Sequence, residues 1–196
     1  MPSFQQITSR ARGLYRRVFQ RQEDLHLRAV VDTLKQVALF QHFSRSMLRD
    51  LAESMHRRDY KRDEFLYYRD DPGLGFYIVQ RGRVRLLTED EDGTQHELRQ
   101  VGAHDFFGEE TLLGNGDLRR FETAQAVTEA QVLGFFSPNL NAMLKRTPKT
   151  GAAVLWALAL HLAHRQKSLV ERLAEREGDL AALRLVHGEH PTGSAV

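Results

Sequence analysis

The chain has 196 residues, 41% hydrophobic and 28% charged, and its 28 Lys plus Arg against 26 Asp plus Glu leave a formal net charge of +2. This is the composition of one folded domain with room for helical extensions, and it excludes wholesale disorder. No cysteine is present, which excludes disulfide frameworks, thiolate zinc sites, iron–sulfur clusters and cysteine nucleophiles, and fits a reducing, cytoplasmic compartment. The charge balance is too even to mark a nucleic-acid binder by itself.

Residues 1–40 read as a basic, amphipathic helical arm. Arg10, Arg12, Arg16, Arg17 and Arg21 interleave with Leu14, Tyr15, Val18 and Phe19, a pattern open to an acidic partner, a membrane surface, nucleic acid, or packing against the rest of the chain. From Gln22 to Phe40, Leu27, Val30, Val31, Leu34, Val37 and Ala38 recur three or four apart on one helical face. A second helix is expected over Ser44 to Met55, capped by Ser44 and striped by Leu48, Leu51 and Met55.

After Arg57 the period shortens. Six β-branched or aromatic runs, Phe65–Tyr68, Phe76–Val79, Val84–Leu87, Glu97–Val101, Thr123–Val127 and Val132–Phe136, are punctuated by turns at Asp71-Pro72-Gly73, Arg81-Gly82 and Glu91-Asp92-Gly93. They predict an antiparallel, jelly-roll-like β-roll over 41–145, in an α+β fold with helices on either side. No strand alternates with a crossover helix, which argues against a doubly wound enzyme fold.

From about Thr147 the helical period returns as a long helix over 146–186. Leu155, Ala159, Leu162, Gln166, Leu169, Leu173, Arg176, Leu180 and Leu183 alternate at spacings of four and three, the seam of a coiled coil. Self-association into a homodimer is one reading, and a single helix packed on its own roll is the other. Gly178 weakens the last turns by about 1 kcal/mol relative to alanine, and 187–196 reads as a flexible tail. The longest apolar run, Gly151 to Ala163, has thirteen residues against the roughly 20 of a bilayer span, so no transmembrane segment is expected.

The stretch Asp105 to Ala126, DFFGEETLLGNGDLRRFETAQA, carries the most chemistry. A Phe-Phe-Gly turn leads into a brief helix at about Glu109, then a Gly-rich loop, then two arginines entering a strand. A helix N-terminus with a nearby arginine suits a phosphate, and spacing alone equally fits a tight turn beside a solvated arginine pair. From about Leu39 to Leu173 the chain resembles the cyclic nucleotide-binding domain family, the sensor module of catabolite activator protein-like regulators and of cyclic-nucleotide-dependent kinases. Asp70-Asp71-Pro72-Gly73 with Phe76 to Val84 resembles the family's turn and strand pair, and Val101-Gly102 with Asp105-Phe106-Phe107-Gly108-Glu109 resembles the entry to its phosphate-binding cassette.

The resemblance implies a site built on Gly108, Glu109, Glu110, Thr111, Arg119, Arg120, Phe121, Glu122, Thr123 and Gln166. Glu109 would accept from a ribose hydroxyl, Arg120 would pair with a cyclic phosphate, backbone N–H groups around Glu110 and Thr111 would complete an anion nest, and Gln166 would meet the base. The ligand implied is a cyclic nucleotide, cyclic AMP or cyclic GMP, or a related anion, with no metal, cofactor or catalytic residue. The chain departs from the family where Phe121 and Glu122 replace the usual Ser or Thr and Ala. Phe121 brings no hydroxyl, and a carboxylate about 4 Å from an anion costs about 4 kcal/mol at an effective dielectric near 20. On a strand these two side chains face opposite ways, so one at most fills the pocket. If Glu122 is the inward one, it pairs with an arginine and mimics the ligand. The resemblance thus carries two functions: a sensor that signals through the long helix and dimer interface rather than through DNA, or a ligand-free scaffold that holds a protein partner. A regulator of this family that reads DNA has a helix-turn-helix domain after the long helix, and the remaining residues are too few to supply one. No Ser-His-Asp order, phosphate loop or metalloprotease motif is present, so no enzyme is expected.

Overall fold

The computed structural model describes residues 24–114 and 116–188. Arg10, Arg12, Arg16, Arg17 and Arg21 of the predicted arm and the end of the predicted tail lie outside them. The chain forms two compact units, Met1–Ala153 and Val154–Val196.

The first unit opens with helix α1, described over 24–34, followed by a 3-10 turn at Ala38–Phe40 and helix α2 at Arg45–Glu53. The predicted helix to Phe40 thus ends early and tightens. Ser44 caps α2 as expected, its hydroxyl accepting from the Met47 N–H at 3.3 Å. Eight strands then follow: β1 (His56–Tyr60), β2 (Phe65–Tyr67), β3 (Gly75–Arg81), β4 (Val84–Glu89), β5 (Gln95–Val101), β6 (Phe106–Phe107), β7 (Thr123–Ala126) and β8 (Ala130–Phe136). They pair antiparallel in two four-stranded sheets, ordered β1-β8-β3-β6 and β2-β7-β4-β5. This is the β-roll that the turn spacing predicts, with two strands the sequence reading passes over. β1 is HRRDY, exposed at four of its five positions, and shows no apolar alternation. β6 has two residues.

Strand β3 explains how the roll is built. Its run Gly75 to Val79 is buried on both faces, and alternation sends successive side chains to different cores. Tyr77 and Val79 turn inward with Val84, Leu86, Phe107, Ala124, Ala126 and Val132. Phe76 turns the other way, its ring 6.5 Å from Phe40 and 5.7 Å from Phe135. Gln80 ties the same strand to α1 by donating to the Thr33 hydroxyl at 3.0 Å.

After β8 the chain forms helix α3 (Ser137–Arg146), which precedes the predicted return of helical period at Thr147. Pro138 sits at its start, and the Asn139 side chain accepts from the Phe136 N–H at 3.1 Å. Helix α4 (Pro148–Glu177) and helix α5 (Asp179–His187) follow. The single helix expected to 186 is broken at Gly178, whose φ of +88° an L residue with a Cβ rarely adopts. Among the described residues, no helix is long and apolar enough to cross a membrane.

Phe76 is fully buried, so Phe76→Ala opens a cavity between the helices and the sheet. It should lose about 3 to 5 kcal/mol and about 10 °C in Tm, measured by thermal and urea denaturation followed by circular dichroism.

Candidate functional site

The site is set by a short antiparallel pairing outside the named strands. Asp70 N–H donates to the Arg120 carbonyl and Arg120 N–H to the Asp71 carbonyl, each at 3.0 Å, and Gly73 N–H donates to the Leu118 carbonyl at 2.9 Å. The Asp71 side chain closes the turn by accepting from the Tyr68 N–H at 2.9 Å. This pairing holds residues 118–120 extended as they enter β7, and their side chains alternate. Arg119 is exposed, Arg120 buried, Phe121 exposed and Glu122 buried.

Arg120 is 3% exposed. Its Nη1 donates to the Gly108 carbonyl at 2.9 Å, and its guanidinium carbon lies 4.3 Å from the Tyr67 ring centroid and 5.7 Å from that of Tyr77. Those rings and Phe107 form a packed trio with centroids 5.6 to 6.1 Å apart. Gly108 has φ +76°, and a Cβ there would run into the Arg120 guanidinium. The glycine is therefore required both by the backbone turn and by the arginine that docks on its carbonyl.

Glu122 is 9% exposed and accepts a hydrogen bond from the Tyr67 hydroxyl at 2.8 Å. The hydroxyl and the face of one phenol thus meet a carboxylate and a guanidinium. Phe121, 67% exposed, points away from this cluster. The 3-10 helix Glu109–Gly114 buries Glu109 and Thr111, and the Thr111 hydroxyl donates toward the Gly108 carbonyl at 3.1 Å. Glu110 is half-buried in the same turn.

Two other predicted residues bond to the segment at 69–70. Arg119 donates to the Asp70 carbonyl at 3.3 Å, and the Thr123 hydroxyl accepts from the Arg69 N–H at 2.9 Å. Gln166 is an exposed residue of α4 in the second unit. A cavity of about 480 Å³ opens beside Arg120, walled by Tyr67, Tyr77 and Phe136 and edged by Arg58 and His56. Among the described residues, Arg120 is the one predicted site residue that lines it. Its size falls within the range of small-ligand pockets.

Residues 57–147 match the family described as the cyclic nucleotide-binding domain. The chain is 34% identical over 100 residues to the cyclic AMP receptor protein of Thermus thermophilus, covering 50% of this chain and 45% of that protein. It is 33% identical over 101 residues to a cGMP-dependent protein kinase of Drosophila melanogaster, covering 50% of this chain and 10% of the kinase. The solved N-terminal domain of a transcriptional regulator from Streptomyces coelicolor superposes with a TM-score of 0.62 at 28% identity, covering 70% of this chain and 94% of that one. The roll is a member of the cyclic nucleotide-binding domain family. The matched segments span less than half the length of the two curated relatives.

Within this cyclic nucleotide-binding domain, sequence reasoning misses Tyr67 and Tyr77. Both sit in runs that read as core strand, and neither has a local signal that it will meet Arg120. Burial, first, and then the Glu122 carboxylate push the Tyr67 hydroxyl well above its ordinary value of 10, with Arg120 opposing. Burial is also the main cause of the rise at Tyr77. Tyr67 therefore remains a protonated donor at neutral pH.

Above about pH 10 the unfolded chain releases tyrosine protons that the folded chain retains. The unfolded state then binds fewer protons, and stability falls as pH rises. Between about pH 10 and 11.5, Tyr67→Phe should make that fall shallower by about 1.4 kcal/mol per pH unit, read from urea midpoints across the range.

Proposed function

We propose that this cyclic nucleotide-binding domain is the sensor of a regulatory protein that takes a cyclic nucleotide, cyclic AMP or cyclic GMP, and carries out no chemistry on it. The observation that carries the reading is Arg120, a buried guanidinium held on the cassette carbonyl of Gly108 and lining a 480 Å³ cavity. A permanently charged fork in a water-poor site is a strong and geometrically selective partner for a phosphate. Glu109, which the family resemblance assigns to a ribose hydroxyl, is buried in the 3-10 turn that follows Gly108 and does not line this cavity. Relatives named for cyclic AMP and cyclic GMP support the ligand class.

In this reading the protein is a cytoplasmic homodimer that signals through helix α4. Along the predicted seam Leu169 is 60% exposed and Leu162 and Leu173 are half-buried, an apolar stripe that suits a second helix. The buried Glu122 favours a second reading, a scaffold that has lost its ligand and uses the same stripe to hold a protein partner.

Isothermal titration calorimetry with cyclic AMP and cyclic GMP separates the two. The sensor gives measurable heat with at least one nucleotide, and Arg120→Ala weakens that binding about 100-fold. Silence at millimolar ligand leaves the scaffold. Independently, the protein should sediment as a dimer and Leu169→Asp as a monomer, and a monomeric wild type ends the dimer reading.

A further inference from the structure

We infer that Glu122 is a charge-selectivity residue, an internal carboxylate that makes the Arg120 pocket accept singly charged phosphates and reject doubly charged ones. The inference rests on the reading of Arg120 as the anion partner. It begins from an arrangement that anion recognition alone does not call for. Glu122 is a buried acid whose oxygen is held at 2.8 Å by the hydroxyl of Tyr67, the residue whose ring lies 4.3 Å from the Arg120 guanidinium carbon. One phenol separates the two charges, so a ligand anion docked on Arg120 lies in the field of Glu122. Both charges register on the Tyr67 hydroxyl, the carboxylate raising its pKa and the guanidinium lowering it.

The consequence is quantitative. Coulomb repulsion is proportional to ligand charge, so a dianion suffers twice the free-energy penalty of a monoanion. Whatever factor Glu122 subtracts from monoanion affinity, it subtracts the square of that factor from dianion affinity. A cyclic phosphodiester carries one negative charge at every neutral pH, whereas a 5′-phosphomonoester carries close to two once the pH is well above its second pKa of about 6. A neutral side chain at this position, such as the family's usual alanine, would lack this filter. Selectivity built from a repulsive element is a general device for rejecting a close competitor.

The test is calorimetry at pH 8 with cyclic AMP and 5′-AMP on the full chain, as wild type, Glu122→Gln and Glu122→Asp. Glutamine keeps the acceptor for Tyr67 and removes the charge; aspartate keeps the charge. The expected result is that Glu122→Gln tightens cyclic AMP about tenfold and 5′-AMP about a hundredfold, while Glu122→Asp retains the wild-type preference. A wild type silent to both nucleotides beside a Glu122→Gln protein that binds them makes Glu122 a general block rather than a charge filter, and overturns the selectivity. Equal gains for the two nucleotides, or none while wild type binds cyclic AMP, overturn the role of Glu122 and leave the cyclic nucleotide reading standing. Silence of every variant removes that reading and the inference with it. If Glu122→Gln melts more than about 10 °C below wild type, Glu122→Thr, a neutral β-branched residue suited to a strand, replaces it with the same expected ratio.

Discussion

A guanidinium that is always charged sits where water barely reaches it, and much of the roll is arranged around that fact. Taking such an ion out of water costs several kcal/mol unless its surroundings answer the charge. Here a carbonyl oxygen of the cassette receives one N–H and an aromatic face lies under the plane, a contact worth about 2 kcal/mol when desolvated. A carboxylate stands one phenol away. The arginine is not an isolated group, because the position of Gly108, the identity of Tyr67 and the burial of Glu122 are parts of one electrostatic arrangement. Removing any one leaves another polar group buried with too few partners, which is usually more damaging than losing a surface ion pair.

The aromatic trio that receives the arginine belongs to the same core that joins the two sheets. Tyr67 comes from β2 and Tyr77 from β3, and both rings face the one cation, while Phe107 of β6 packs against the two rings. Opposite them the β7 positions are Ala124 and Ala126, fully buried, whose small side chains leave room for the rings. The helix-facing core built on Phe76, Phe40 and Phe135 lies on the other face of β3, beside the Gln80–Thr33 hydrogen bond. Both faces of β3 thus carry apolar core, and the charged cluster is built into the inner one.

The roll was largely legible in the sequence because its turns and β-branched runs are local signals. Six strands, the Ser44 cap and the brief helix at Glu109 could be placed from residue types within a few positions of one another. β1 was not legible, since HRRDY gains its strand state from pairing with β8 rather than from any apolar alternation. The orientation of Phe121 and Glu122 was undecidable for a different reason. Hydropathy alone would bury the phenylalanine; the hydroxyl that makes the glutamate the buried one belongs to Tyr67, 55 residues earlier. A pairing at that separation leaves no trace in either neighbourhood. Gly178 was visible as a weak point, but a positive φ that ends one helix and starts another is a backbone choice that composition does not dictate.

The register of the segment before β7 sets which side chains face inward. Strand alternation has a period of two, so a slip of one residue would exchange every inward side chain for an outward one. With Arg119 and Arg120 adjacent, such a slip would still bury an arginine, and the cation would survive the error. The residue two positions on would not: Phe121 would enter where Glu122 now lies, replacing a carboxylate by an aromatic ring and leaving Tyr67 without its acceptor. The paired arginines therefore do not specify the site. Specification comes from the three backbone hydrogen bonds between 70–73 and 118–120, and from the hydroxyl that a carboxylate satisfies and a phenyl ring does not.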